Sequence, residues 1–178
     1  GAQVGDVLVL TKGLGTGSVS TAVNKDQVSA DVLQAATTSM STLNASAALA
    51  AIALEAQAVT DVTGFGLCGH GTEMARASGV TLEFSARKLP LLEGAGELAM
   101  AGCISGGSGR NSAHLGEQLE VATDVPDHLR DLATDSETSG GLLMAISQQR
   151  IGDPDKVMEE EGGTHPVPYT QRKLPRPP

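Results

Sequence analysis

An almost complete lack of aromatic side chains is what most constrains how this chain folds. Tryptophan is absent, tyrosine occurs once and phenylalanine twice in 178 residues. Aromatic side chains bury the largest areas per residue, so the core here has to be built from Ala, Leu, Val, Ile and Met. The chain also holds 22 glycines, which allow tight turns and close backbone approaches that other residues resist. A chain of this length makes one domain, or one domain and a tail. It buries roughly 70% of the surface its unfolded form exposes.

Charge and cysteine usage narrow the function classes. The net charge is −9, which excludes a general nucleic-acid binder, because such a protein needs a basic face to replace counterions. It excludes an anionic membrane surface as partner for the same reason. Nucleotides stay accessible to an acidic protein when backbone amides and a metal ion handle the phosphates. Cys68 and Cys103 lack CxxC spacing and make neither a disulfide framework nor a zinc site. They read as small core residues with reduced thiols, in a cytoplasmic protein. No run of 18 apolar residues predicts a membrane span. The first residues, GAQVGDVLVL, carry no basic segment and read as a chain opened at a domain boundary.

Hydrophobic pattern and turn residues give the elements. DVLVLT, residues 6–11, is an apolar run between glycines and predicts a buried strand; GLGTGS after it reads as a turn. Residues 27–57 are rich in Ala and Leu, without Pro or Gly. They predict one long helix or two, broken near Asn44. Residues 58–61 look like a strand end. Residues 67–77 predict a helix stopped by Gly79. Alternation over residues 80–84 predicts a half-buried strand. A helix is expected over residues 91–101, a glycine-rich loop over 105–111 and a short helix over 126–133. A strand is expected over 142–146 and a helix over 155–161. From residue 162 onward five prolines predict extended or disordered chain with no further strand. Strands mixed with helices, without strict βαβ rhythm, predict an α+β domain: helices packed on a mixed or mostly antiparallel sheet. The domain is expected to span residues 1–161 and the proline-rich tail 162–178.

Four stretches carry chemistry. In TDVTGFGLCGH, Asp61 ends a strand and a glycine-rich turn opens a helix. Free amides at a helix start hold phosphate oxygens, and a neighbouring carboxylate holds Mg²⁺ that bridges to them. The alternative is that Asp61 caps a tight turn. In SGGSGRN, Arg110 is able to reach an anion that Asn111 orients; the alternative is an exposed loop with a solvated Arg. In DSETSGG, Thr138 and Ser139 offer hydroxyls before two glycines, or simply make a turn. In LTKGLGTG, Lys12 reads as a solvated lysine at a strand end rather than a phosphate ligand. No GxxxxGK[ST] pattern occurs, and His70 reads as a packed or capping residue.

In this order, GDVLVLTKGLGTG, TDVTGFGLCGH, GGSGRN and DSETSGGLL resemble the C-terminal domain of the selenophosphate synthetase (selenide, water dikinase) family. The resemblance covers residues 1–147. The wider superfamily includes aminoimidazole ribonucleotide synthetase, hydrogenase maturation factor and thiamine phosphate kinase. The resemblance implies a reaction that takes ATP, selenide and water to selenophosphate, AMP and phosphate. It implies a homodimer, with ATP and Mg²⁺ between an N-terminal and a C-terminal domain. It carries a magnesium-ligand role onto Asp61. It places Arg110, Asn111, Thr138 and Ser139 along the same cleft without fixing their roles, and it assigns no catalytic residue to this chain.

Three departures stand against it. Gly13 and Ser136 occupy positions where the family usually has proline, and the tail is unlike the strand that ends the family's domain. The family's reactive Cys or selenocysteine, its partner lysine and most ATP and metal ligands belong to the N-terminal domain, which nothing in this chain matches. The isolated chain is therefore expected to be inactive. A different class of reading is a non-catalytic dimerisation or docking module of the same fold, or the equivalent domain of another ATP-using enzyme of the superfamily.

Overall fold

The computed structural model describes residues 1–151 and the backbone of a short strand at Tyr169–Thr170. The helix expected at 155–161, the boundary at 161 and the rest of the tail lie outside the described residues. Three strands form the centre: β1 (Val7–Leu10), β2 (Ala58–Asp61) and β3 (Leu142–Ile146). With β4 (Tyr169–Thr170) they run in the order β2-β3-β1-β4, each pair antiparallel. The tail thus contributes a strand where none was expected.

Helices cover both faces of this sheet. Leu8, Leu10, Leu143 and Ala145 point to one side, where Leu67, Cys68 and Met74 of α4 (Gly66–Ser78) meet them. Val7, Val9, Met144 and Ile146 point to the other, against Ala47, Ala50, Ala51 and Leu54 on and after α3 (Ala45–Ala53). Double coverage explains why VLVL and LLMAI read as unbroken apolar runs instead of alternating ones. The alanine-rich face of α3 lets helix and sheet approach closely, as the aromatic-poor composition requires. A third cluster joins α5 (Ala95–Met100) to α7 (Asp127–Ala133) through Ala95, Ala99 and Leu132. The α+β reading with helices on an antiparallel sheet therefore holds.

Several elements match expectation. The stretch 27–57 is two helices, α2 (Ala30–Ser41) and α3, parted at Asn44. Gly79 ends α4 in the left-handed conformation, φ 66°. Four elements differ. GLGTGS is no mere turn, since α1 (Thr16–Asn24) starts inside it. SGGSGRN is no loop, since it forms the first turns of α6 (Gly106–Leu115), capped by the Ser105 hydroxyl accepting from Ser108 N–H. Residues 80–84 form no strand: they have no ladder partner among the described residues, and Val80, Leu82 and Phe84 lie half-buried against the core. The helix expected from residue 91 is delayed to Ala95. Its first residues are instead held extended, with Leu14 N–H donating to Pro90 O at 2.9 Å and Leu92 N–H to Leu14 O at 2.9 Å.

Candidate functional site

The four sequence stretches meet at one place, the segment 134–141 that runs from α7 into β3. Asp135 and Glu137 are almost fully buried there. Glu137 Oε1 accepts from Gly15 N–H at 2.7 Å; its Oε2 accepts from Thr16 N–H at 3.1 Å and the Thr16 hydroxyl at 2.6 Å. Asp135 Oδ2 accepts from Ser18 N–H at 2.7 Å and the Ser18 hydroxyl at 3.0 Å. Its Oδ1 accepts from the Ser105 hydroxyl and from Ser136 N–H. Helix α1 has no side-chain cap of its own, because Gly15 stands at the cap position. Two carboxylates from about 120 residues away supply the missing acceptors and face the positive end of the helix dipole. Burial nevertheless pushes Glu137 up to about 7, against the pull of the Thr16 and Gly15 donors and with a smaller push from Asp135. Burial raises Asp135 likewise.

The glycines of all four stretches serve this junction. A Cβ at Gly17 would stand 2.6 Å from Asp135 Oδ1, and one at Gly66, whose φ is +70°, 2.5 Å from Asp135 O. A Cβ at Gly107 would run into the Ser136 hydroxyl, and one at Gly140 into Val62 O. Ser136, where the resembled family usually has proline, uses groups that proline lacks. Its N–H donates to Asp135, and its hydroxyl donates to Gly64 O at 2.8 Å.

The residues singled out from the sequence take distinct places. Asp61 ends β2, exposed, opposite Leu142 in the ladder. Its Oδ2 accepts from the Thr63 hydroxyl at 2.9 Å, and its Oδ1 has no bonded partner among the described residues. Asn111 is buried; its amide donates to Gly64 O and Thr134 O, both at 2.9 Å, and so clamps the TGFG turn onto segment 134–136. Thr138 and Ser139 are exposed at the rim. Thr138 N–H donates to the Thr16 hydroxyl, and Ser139 holds φ +51°. Arg110 is exposed on α6 with no hydrogen bond or ion pair among the described residues. Lys12 is not merely solvated: its ammonium donates to Thr42 O at 2.7 Å and Ser139 O at 2.8 Å, and burial lowers its pKa.

Sequence reasoning missed Asp135 and Glu137, which lie inside a stretch it had marked for its hydroxyls. The available signal was a helix beginning in GTGS with no acceptor of its own. His70 is buried, as expected, and Cys68 is an inert core thiol that burial pushes up to about 12. Beside the turn, α4 and α6 flank a shallow groove of about 70 Å³ lined by Phe65, Arg76 and His114 among others. The exposed Phe65 ring stacks on His114 there, 6.4 Å between centroids. No group of three or more His, Cys, Asp or Glu able to hold a metal occurs among the described residues. Asp61 thus fits a metal only as one ligand added to others.

The comparisons with known proteins cover most of the chain. The family model described as "AIR synthase related protein, C-terminal domain" matches residues 3–164. The chain belongs to that family. This AIR synthase related domain is similar to the selenide, water dikinase of Geobacter metallireducens, 47% identical over 83% of the chain and 43% of that protein. It is also similar to that of Nitratidesulfovibrio vulgaris, 41% identical over 98% of the chain and 51% of that protein. The chain spans about half the length of the curated relatives it matches. Among solved structures, hydrogenase maturation protein HypE shares the fold at 16% identity, with a TM-score of 0.61 over 97% of the chain and 45% of HypE. Thiamine monophosphate kinase from Aquifex aeolicus shares it at 15% identity, with a TM-score of 0.55 over 97% of the chain and 48% of the kinase. No described helix is long and apolar enough to cross a membrane.

Proposed function

We propose that this chain is the C-terminal half of an ATP-dependent selenophosphate synthetase, a cytoplasmic homodimer in which ATP and Mg²⁺ lie against an N-terminal half. The observation that carries the reading is Asp61. It is a carboxylate left exposed at the point where four glycine-rich stretches interlock, with one oxygen fixed and the other open among the described residues. The relatives' shared name, selenide, water dikinase, supports the substrate class.

In this reading Asp61 is one ligand of a site completed by the other half. Asp61 would hold a Mg²⁺ ion there together with ligands from the other half, and the ion would supply positive charge against the phosphates. The chain's own part is to aim that carboxylate and to wall the cleft. Arg110, without a hydrogen-bond or ion-pair partner among the described residues, meets phosphate charge, while the Thr138 and Ser139 hydroxyls stand at the rim. Asn111 acts by clamping the turn that carries Asp61, a job its two carbonyl partners define.

The chain alone is expected to release no AMP from ATP and selenide. Mixing with a separately made N-terminal half should restore release. Asp61→Asn should then abolish it with the circular dichroism spectrum unchanged. Full activity of Asp61→Asn in the mixture would remove Asp61 from the site.

A further inference from the structure

Thr63 stands between Asp61 and a buried histidine. Its hydroxyl lies 2.9 Å from Asp61 Oδ2 and 3.2 Å from His70 Nε2. A hydroxyl has one proton to give and lone pairs to accept with, whereas an ionised carboxylate only accepts. The Thr63 proton therefore goes to Asp61. The hydroxyl oxygen must then accept, so His70 Nε2 carries a hydrogen and donates it. The other ring nitrogen, Nδ1, faces Glu73 Oε2 one turn along α4, at 3.8 Å. His70 is held in place by burial at 7% exposure and by the Phe65 ring, 5.7 Å between centroids.

We infer that Thr63 and His70 are positioning residues for Asp61: a one-way hydrogen-bond chain from His70 Nε2–H through the Thr63 hydroxyl fixes the Asp61 carboxylate and turns its second oxygen outward. The geometry itself does not depend on the function proposed above; its use for a metal ion rests on that reading. An exposed carboxylate at a strand end otherwise rotates freely, and a metal ligand gains affinity from having one arrangement held in advance. The chain of donors also explains a buried histidine in a helix that otherwise packs small and aliphatic side chains against the sheet.

Two measurements on the 178-residue chain test this. Long-range ¹H–¹⁵N correlation of the imidazole should show His70 protonated on Nε2 in the wild type and in Thr63→Ser. Protonation on Nδ1 alone would overturn the proposal. Mn²⁺ alone, titrated as a paramagnetic probe, should broaden the amide signals of Asp61 and Val62. Thr63→Val and His70→Leu should each raise the midpoint about tenfold, as loss of a ligand's supporting partner does. Thr63→Ser and His70→Gln, which keep the donors, should restore it. Unchanged midpoints in Thr63→Val and His70→Leu, with folded spectra, would likewise overturn it. Equal Mn²⁺ broadening in Asp61→Asn would sink the metal reading alone, and the imidazole measurement would still decide the hydrogen-bond chain.

Discussion

At the scale of single residues, the junction separates acids that look alike in sequence. Asp61 is exposed, with one oxygen unbonded among the described residues, whereas Asp135 and Glu137 spend their oxygens on backbone and hydroxyl donors in the interior. The TDVTGFG context marked Asp61, because strand end and glycine turn are local features. The other two were illegible because their partners lie more than a hundred residues away. Burial of Glu137 has a pH consequence. Its folded-state pKa of about 7 stands above the ordinary 4.5, so the folded chain holds this proton more tightly than the unfolded chain does. Its contribution is fully present below pH 4.5 and is lost as pH rises to 7. Asp135 acts in the same direction. The urea midpoint should therefore fall between pH 5 and pH 8, and Glu137→Gln should flatten that dependence. A midpoint rising over the same range, and still rising in Glu137→Gln, would contradict the burial argument.

At the scale of elements, α6 shows glycines of one motif doing opposite things. Glycine costs a helix interior about 1 kcal/mol relative to alanine, which is why SGGSGRN read as a loop. The helix forms because Ser105 caps it and Asn111 ties it to two carbonyls. Gly107 is where α6 touches segment 134–136, and a Cβ there meets the Ser136 side chain. Gly109 faces open space. Gly109→Ala should therefore stabilise the chain by about 0.5–1 kcal/mol. Gly107→Ala should destabilise it by about 1–3 kcal/mol, both read from urea unfolding. The same signs for both would mean that helix propensity alone governs α6. Helix α1 went unread for the converse reason: its N-terminal acceptors are borrowed from Asp135 and Glu137, so no capping residue marks it in the sequence.

At the scale of the whole molecule, the sheet lies between two apolar layers and a third cluster stands apart around Leu132. Met144 and Leu132 are both fully buried but belong to different clusters. Each, changed to alanine, should cost about 2–5 kcal/mol. In the double variant the costs should add to within about 0.5 kcal/mol, as they do for sites without shared partners; a coupling well above that would merge the clusters into one core. What the sequence determined by itself was local in origin: the unbroken apolar strands, the helix break at Asn44, the glycine stop at Gly79, and the place of Asp61 at a strand end. Only the tertiary structure decided which polar groups are spent and which are open. It consumed Asn111, Lys12, Asp135 and Glu137 in holding four distant stretches together, and among the described residues it left one Asp61 oxygen and the Arg110 guanidinium without a bonded partner. The reason is that a buried polar group must find a partner wherever the fold brings one, and sequence separation carries no record of that meeting.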